Sequence, residues 1–379
     1  MSRRETLLLG VLLVMGLWPA DLRAQPAATT TTQPSSFLAA AREVTASIQR
    51  NYWDPKTGLY AGSTEDRNPD HMWGNGVMCS TLVAAARYEP RTYRVVLNRF
   101  FLAMDRYWDA KAKVPGYEPS PTSGNGRDKY YDDNAWMVLT FLEAYDLTRD
   151  ARYLNRAEAT LAFALSGWDD TLGGGIWWHE QHKAGTKNTC ANAPTAVACL
   201  RLASYRDRAT NLAWARKIVA WTNENLQDTD GRFFDNVHAQ SGKVDPVKLT
   251  YNTALMLRAN LALHRATGEQ RFLDEAVRIG ARCDAFLRKD GKAYRDPARF
   301  AHLLVEADLE LHRATGDPRA LQRARGNGEA AYAKWRQDPP KELIGQASIA
   351  RMLWLLADQE TDTGRTFWER VDGLASPSR

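Results

Sequence analysis

The chain has 379 residues, of which 44% are hydrophobic and 25% are charged, a balance that is typical of globular proteins and excludes disorder for most of the chain. Its formal net charge of +5 is too small to indicate binding to nucleic acid. The length allows a large core, either in one barrel or in two or three domains.

The N-terminus has the features of an export signal. Two arginines precede an apolar run over 7–18, and a plausible cleavage point follows Ala24. The run is too short to anchor the chain in a bilayer, and no second run of membrane length follows it. We therefore predict an exported protein, periplasmic or extracellular, in three segments: a signal peptide over 1–24, a flexible Thr- and Pro-rich spacer over 25–36 and a single folded domain over 37–379.

Most of the remaining chain has apolar residues spaced three and four apart, which is the period of a helix. The stretch 154–165 has one apolar stripe, as expected for an outer helix, whereas 135–142 and 352–356 are apolar almost all round and must be enclosed by other helices. These two kinds alternate along the chain. The pattern predicts twelve helices: 37–52, 73–88, 91–108, 131–148, 151–166, 188–206, 209–226, 247–266, 269–288, 297–314, 318–336 and 342–358.

The connections between the predicted helices alternate as well. Short, mutually similar connectors occur at 146–154, 265–273 and 313–321, where an acid or Pro opens the next helix; in the last two, a Gly closes the helix before it. The other connections are long and rich in Gly and aromatic residues: 53–72, 109–130, 167–187 and 227–248. This organisation predicts an all-α fold, an (α/α)6 barrel of alternating inner and outer helices with its long loops on one face. An open α-solenoid is the alternative.

The sharpest local feature is an adjacent pair of acids, Asp132 and Asp133, where a long loop enters a buried helix. The positive end of the helix dipole favours ionisation of one carboxyl group, while repulsion and burial raise the pKa of its neighbour. Such a split suits a nucleophile beside a general acid/base, and retaining hydrolysis of a glycoside uses two carboxyl groups about 5 Å apart. The alternative is that one Asp only caps the helix.

Other candidate residues cluster in the long loops and at the starts of the enclosed helices. Flat aromatic rings suit stacking on sugars, and amides, a phenol and an ammonium group suit sugar hydroxyls. Of the consecutive Trp177 and Trp178, at most one should reach a ligand, because neighbours in an extended segment point opposite ways. The candidate substrate-binding residues are Trp73, Asn134, Trp177, Trp178, Lys187, Asn188, Asn192, Tyr251 and Asn252.

The sequence gives no sign of a metal or cofactor site. The histidines in the long loops lack the spacing of metal ligands, and phosphate-binding and dinucleotide-binding motifs are absent. The four cysteines form no CxxC pair, so we assign them a structural role, as buried thiols or as one disulfide.

The chain resembles glycoside hydrolase family 76, the endo-α-1,6-mannanases of bacteria and fungi, in four motifs that occur in the family's order. They are Tyr131-Asp132-Asp133-Asn134-Ala135-Trp136, the segment GGGIWW at 173–178, Lys187-Asn188 with Asn192, and Thr250-Tyr251-Asn252. The family commonly continues the last motif with Gln-Gly, whereas this chain has Thr253-Ala254.

The resemblance implies an (α/α)6 barrel that cleaves α-1,6-linked mannan, or a related α-mannoside, with retention and without a metal. By position it implies that Asp132 is the nucleophile and Asp133 the general acid/base. The implied partner is a mannan-like polysaccharide or oligosaccharide. From the charge and the hydropathy we expect no nucleic-acid partner and no membrane span, and we predict a monomer.

Three alternatives remain open at this stage. The chain could be another (α/α)6 carbohydrate enzyme, such as a sugar epimerase or an unsaturated glucuronyl hydrolase. It could also be a non-catalytic barrel that binds glycans, which would keep the aromatic residues and tolerate loss of either Asp. A helical interaction scaffold is the third alternative, and it would not need aromatic residues concentrated in one set of loops.

Overall fold

The structure, a computed structural model, describes residues 36–181, 183 and 185–360. The predicted signal peptide and almost all of the predicted spacer lie outside these residues, as does the chain after 360. Twelve α-helices occupy most of the described chain, as the helical period predicts. They are α1 Phe37–Asn51, α2 Met72–Tyr88, α3 Pro90–Ala103, α4 Tyr131–Thr148, α5 Ala151–Ser166, α6 Thr189–Leu202, α7 Arg208–Leu226, α8 Thr250–Thr267, α9 Gln270–Gly280, α10 Ala298–Thr315, α11 Pro318–Gln337 and α12 Leu343–Glu360.

Three helices end at least four residues earlier than predicted. The predicted helix 188–206 ends at Leu202, and the other two corrections have a common cause. The predicted helix 91–108 ends at Ala103, and the predicted helix 269–288 ends at Gly280. In each case a short 3-10 turn follows, and it turns its large side chains into the core: Tyr107 in the first, Phe286 in the second. An amphipathic period counts these buried residues as helical although the backbone has changed.

The even-numbered helices form a closed inner ring. α2 packs on α4, α4 on α6, α6 on α8, α8 on α10, α10 on α12, and α12 packs back on α2. From α3 to α11, each odd-numbered helix packs outside the inner helix that precedes it in the chain, whereas α1 packs on α12. The inner helices are buried almost all round and the outer ones on one stripe. The predicted (α/α)6 barrel is therefore confirmed.

The connectors differ between the two faces of the barrel. On one face, short turns join an inner helix to the next outer one, and Gly268 and Gly316 end α8 and α10 in the left-handed conformation, at φ 72° and φ 75°. Asp150 and Asp317 then cap α5 and α11 by accepting backbone N–H groups. On the other face lie the long loops, so the sequence correctly places the two kinds of connection.

Seven strands of two or three residues stiffen the long loops. They are β1 Trp53–Asp54, β2 Leu59–Tyr60, β3 Trp108–Asp109, β4 Gly116–Tyr117, β5 Thr186–Asn188, β6 Asn236–His238 and β7 Val244–Asp245. β1 pairs with β2 and β3 with β4, while β6 lies between β5 and β7; all pairs are antiparallel. The third sheet joins the loop before α6 to the loop before α8, which brings residues 50 positions apart together.

Charged side chains fill the middle of the barrel. Arg258 of α8 pairs with Glu306 and Glu310 of α10, and Arg351 of α12 pairs with Glu306 and with Glu143 of α4. Burial raises the cost of each isolated charge, so these ions depend on one another and fix how the inner helices sit together. Within the described residues, no helix is long and apolar enough to cross a membrane.

Candidate active site

All six inner helices begin on the face that carries the long loops, so the positive ends of their dipoles converge there. Side chains from the second or third position of five of these helices meet in one chain of contacts. We call this set the N-terminal cluster: Trp73 of α2, Asp132 and Asp133 of α4, Cys190 of α6, Tyr251 of α8 and Phe300 of α10. Phe300 stacks on Trp73 with ring centroids 5.6 Å apart and on Tyr251 at 4.9 Å.

The acidic pair lies in the first turn of α4, and neither Asp caps the helix. The N-cap is Tyr130, whose side chain makes no capping bond. Oδ2 of Asp132 accepts hydrogen bonds from Nε1 of Trp178 at 3.2 Å and from the thiol of Cys190 at 3.4 Å. Oδ1 of Asp132 is buried and has no hydrogen-bond partner among the described residues. The alternative that one Asp only caps the helix is therefore wrong, and the Asp132 carboxylate is instead held by two donors to one of its oxygens.

Burial raises the pKa of both carboxyl groups above the ordinary value of an aspartate. It raises the pKa of Asp132 to about 6, against the smaller opposing effect of the Cys190 hydrogen bond. Burial also raises the pKa of Asp133 well above its ordinary value, and the negative charges of Asp132 and Asp70 raise it further. Asp132 is therefore the member of the pair that ionises more readily, and Asp133 keeps its proton more strongly.

Two long loops pair to position Trp178 above Asp132. The N–H of Tyr131 donates to the carbonyl of Trp178 at 2.9 Å, and the N–H of Glu180 donates to the carbonyl of Lys129 at 2.8 Å. Nδ1 of His179 lies 2.5 Å from a carboxylate oxygen of Asp128. These contacts fix the loop segment that carries Trp178, which is 38% exposed, and a contact of Trp178 with sugar stays a prediction.

Trp177 and Lys187 lie behind this loop. Trp177 is 2% exposed and donates from Nε1 to Oδ2 of Asp169 at 2.6 Å. Lys187 is completely buried, and its ammonium group donates to Oδ1 of Asp169 and to the carbonyls of Asp169, Thr171 and Gly174. Of the two adjacent tryptophans, only Trp178 is exposed, and that at most one of them reaches a ligand stays a prediction. Lys187 and Trp177 hold the glycine-rich loop, and a direct contact with sugar stays a prediction for both.

Asn134 and Asn192 are also fully buried. The amide of Asn134 exchanges hydrogen bonds with the backbone N–H and C=O of Tyr117. Asn192, at the same position of the next inner helix, does so with the backbone of Ile176. Both amides thus pin the loop that precedes their own helix. The direct contact with sugar that the sequence predicts for both amides stays a prediction.

Three predicted residues converge on a carboxylate that the sequence does not single out, Asp235. Nδ2 of Asn188 donates to it at 3.4 Å, Nδ2 of Asn252 at 3.0 Å and the hydroxyl of Tyr251 at 3.3 Å. Nδ2 of Asn236 adds a fourth bond at 3.0 Å. Asn188 and Asn252 are nearly or fully buried, whereas Tyr251 is half-buried. The amides of Asn188 and Asn252, which were predicted to bind sugar hydroxyls, therefore hold the Asp235 carboxylate, and their contact with sugar stays a prediction.

A fourth carboxyl group belongs to Asp70, which lies two residues before the start of α2. Its Oδ1 accepts the N–H of His71 at 2.9 Å, and its buried Oδ2 has no hydrogen-bond partner among the described residues. A side chain at Gly74 would collide with Oδ2, since a Cβ there would lie 1.8 Å away. Burial raises the pKa of Asp70 to about 7. The chain thus reserves space for a carboxyl group whose charge acts on Asp133.

Sequence reasoning missed Cys190, Asp235, Phe300 and Asp70. One signal was available for Cys190 and Phe300: they occupy the second and third positions of inner helices, as Asp132 and Asp133 do. Asp235 and Asp70 lie inside long loops, where nothing in the sequence separates them from turn-forming acids. Within the part of the chain that the structure describes, no group of three His, Cys, Asp or Glu side chains could hold a metal ion.

The fold and the acidic pair define the class of the protein as an (α/α)6-barrel glycoside hydrolase. The model of glycosyl hydrolase family 76 matches residues 36–324, which is more than half of the chain. The chain belongs to glycosyl hydrolase family 76, which confirms the family and the class of enzyme predicted from the sequence.

Solved structures of other proteins share this fold. An α-mannanase of family 76 from Bacteroides thetaiotaomicron has a TM-score of 0.81 at 25% identity, and the match covers 87% of this chain and 98% of that one. An inactive variant of an α-1,6-mannanase from Salegentibacter sp. HEL1_6, with two consecutive aspartates replaced by asparagine, was solved with α-1,6-mannotriose. Its TM-score is 0.72 at 22% identity, over 85% of this chain and 99% of that one.

A more distant match is the Dfg5 protein of Chaetomium thermophilum, solved with glucosamine. It has a TM-score of 0.69 at 20% identity, over 86% of this chain and 92% of that one. No curated protein matches the sequence.

Proposed function

We propose that the protein is a retaining α-mannosidase that cleaves α-1,6-linked mannan within the chain, through a covalent glycosyl-enzyme. The observation that carries the proposal is the acidic pair: two adjacent carboxyl groups, of which Asp132 is held by two donors and Asp133, whose pKa is raised by burial and by neighbouring charges, keeps its proton more strongly. Retaining hydrolysis needs this difference between a nucleophile and a general acid.

In the first step, the carboxyl proton of Asp133 moves to the glycosidic oxygen as the bond between that oxygen and the anomeric carbon breaks. The bonding electron pair leaves with the oxygen. An oxygen of Asp132 attacks the anomeric carbon from the opposite side and forms an ester. No hydrogen bond from the described residues holds the Asp133 carboxyl group, so its proton is free to leave.

In the second step, the Asp133 carboxylate takes a proton from a water molecule, whose oxygen attacks the anomeric carbon. The ester bond breaks and its electron pair returns to Asp132. Two successive inversions give net retention. Burial, which raises the pKa of Asp133, keeps the acid form available for the next cycle.

Two features support a neutral glycan as the substrate. Trp73, Phe300 and Tyr251 form a continuous aromatic surface beside the acids, which suits the apolar faces of sugar rings. The carboxylate of Asp235, which four donors hold in place, disfavours a negatively charged glycan beside it. The α-1,6 linkage is proposed because the Salegentibacter α-1,6-mannanase, which has the same fold, was solved in complex with α-1,6-mannotriose.

The test is to incubate the purified protein with linear α-1,6-mannan and to follow product size and, by NMR, the anomer released first. We expect short oligosaccharides that appear first as the α-anomer. The β-anomer first would refute the covalent mechanism, and single mannose units without intermediates would refute cleavage within the chain. Binding of the mannan without cleavage would favour a glycan-binding barrel.

We also propose that the protein is exported and acts as a monomer. The arginine pair and apolar run at the N-terminus support export. Fractionation of the producing cells, with N-terminal sequencing of the mature chain, tests the first point. Light scattering of the mature protein tests the second, and a dimer mass would contradict it.

A further inference from the structure

Cys190 occupies a position in the site that its chemistry does not make obvious. It is the second residue of α6, is 4% exposed and forms no disulfide. Its sulfur lies 3.4 Å from Oδ2 of Asp132. The thiol is also in contact with the hydroxyl of Tyr251 and senses the charge of Asp235. Cys190 therefore lies between the acidic pair and the Asp235 group.

The surroundings keep this sulfur protonated. Burial, followed by the negative charges of Asp132 and Asp235, raises the pKa of Cys190 well above its ordinary value. A protonated thiol next to a carboxylate can only donate its hydrogen, although it is a weak donor. Tyr130, Tyr251 and Asp133 are the other titratable groups close to Asp132, and burial raises the pKa of each of them.

The two oxygens of Asp132 differ because of this arrangement. Oδ2 accepts from the thiol and from the indole of Trp178, whereas the buried Oδ1 has no hydrogen-bond partner among the described residues. The two donors to Oδ2 fix the plane of the carboxylate, and with it the direction from which Asp132 can attack.

We propose that Cys190 is a positioning residue which, together with Trp178, holds Oδ2 of Asp132 and so fixes the orientation of the carboxylate that attacks the anomeric carbon. This inference rests on the proposed retaining mechanism. As the bond from Asp132 to the anomeric carbon forms, the glycosidic bond breaks and its electron pair leaves on the oxygen that Asp133 protonates. Cys190 makes no bond to the sugar; it acts only through Asp132.

The test compares Cys190→Ala, which removes the donor, with Cys190→Ser, which keeps a hydroxyl donor at the same place. Cys199→Ala is the matched control: this cysteine lies on the same helix, is fully buried, and touches neither acid. On linear α-1,6-mannan we expect Cys190→Ala to lower kcat by roughly 3- to 10-fold with little change in KM. The acidic limb of its kcat/KM profile should move to higher pH, because a hydrogen bond to a carboxylate lowers its pKa.

Cys190→Ser should keep the wild-type acidic limb and most of kcat, and Cys199→Ala should change neither. If Cys190→Ala keeps the wild-type kcat and acidic limb, or if Cys190→Ser loses as much as Cys190→Ala, the thiol does not position the nucleophile. The same conclusion follows if Cys199→Ala moves the limb, since packing alone would then explain it.

A second measurement does not depend on activity and so separates this inference from the proposed function. Carboxyl groups labelled with ¹³C in Asp are titrated by NMR, and the signal of Asp132 is identified by its loss in Asp132→Asn. The midpoint should rise in Cys190→Ala and stay in place in Cys190→Ser. If wild type does not cleave mannan but the midpoint moves as expected, the substrate is wrong and the role of Cys190 stands; an unmoved midpoint refutes that role.

Discussion

Replacing either member of the acidic pair should abolish turnover and, at neutral pH, make the protein more stable. A pKa of Asp132 raised from 3.8 to about 6 means that the folded state binds the proton more tightly than the unfolded state. At a pH above both values, this difference costs the folded protein roughly 3 kcal/mol. Asp132→Asn keeps the shape without the charge, so it should recover part of that cost, about 1–3 kcal/mol.

The sign of the effect depends on pH. A group with a raised pKa penalises folding only once it is ionised, so the cost of Asp132 is absent below about pH 4 and complete above about pH 7. Asp133→Asn should behave in the same way, because burial and the charges of Asp132 and Asp70 raise its pKa further. Each variant should therefore exceed wild type in free energy of unfolding at pH 7.5 and match it near pH 4.

The assay is urea unfolding of wild type and both variants at the two pH values, followed by circular dichroism. Asp169→Asn is the control with the opposite sign. Although burial opposes it, hydrogen bonds from Lys187 and Trp177 hold the pKa of Asp169 below its ordinary value, so its removal should destabilise at pH 7.5. Equal or lower stability of both pair variants at pH 7.5 would refute the electrostatic reasoning, and so would a difference that persists at pH 4.

Three further predictions follow from the same contacts. Lys187→Met should lower the free energy of unfolding by roughly 3 kcal/mol, at about 1 kcal/mol for each of the three carbonyls left without a donor. Thermal unfolding would detect this loss, and an unchanged Tm would show that the loop does not need the ammonium group. The rate on mannan should rise through about pH 6 as Asp132 ionises and fall at higher pH as Asp133 loses its proton, and a flat profile over pH 5–7 would contradict the assignment of the nucleophile. Phe300→Ala should raise KM by roughly tenfold with a smaller effect on kcat, because it removes the middle of the aromatic surface; initial rates on mannan measure both, and a change confined to kcat would exclude this role.

The fold was predictable from the sequence because the barrel depends on one repeated physical requirement. Inner helices such as 135–142 are enclosed by other helices and outer ones such as 154–165 face water, so the apolar pattern alone separates the two rings. Gly268 and Gly316 mark turns by the left-handed conformation that they adopt. The strands, of two or three residues each, were not predicted, because an alternation of apolar and polar residues can be recognised only over a longer segment.

The site was predictable only where its residues are neighbours in the chain. Asp132 and Asp133 are adjacent, so their mutual effect can be inferred before the fold is known. The contact between Asp132 and Cys190 spans 58 positions, and it exists only because α4 and α6 begin side by side. Asn188 and Asn252 are informative for the same reason: the sequence points to the right region, but their shared partner Asp235 becomes visible only in three dimensions.

The four carboxyl groups of the site, Asp70, Asp132, Asp133 and Asp235, divide into two sides, and the division indicates how a glycan lies across them. The charge of Asp70 acts on Asp133, and burial raises the pKa of both, so this side, at the starts of α2 and α4, holds protons more strongly than an ordinary carboxyl group does. Asp132 and Asp235 lie toward α6 and α8, and each accepts hydrogen bonds from several donors. A leaving oxygen needs a proton and an anomeric carbon needs a carboxylate. We therefore expect the departing part of the glycan to lie over α2 and the sugar that becomes attached to the enzyme to lie over α6 and α8.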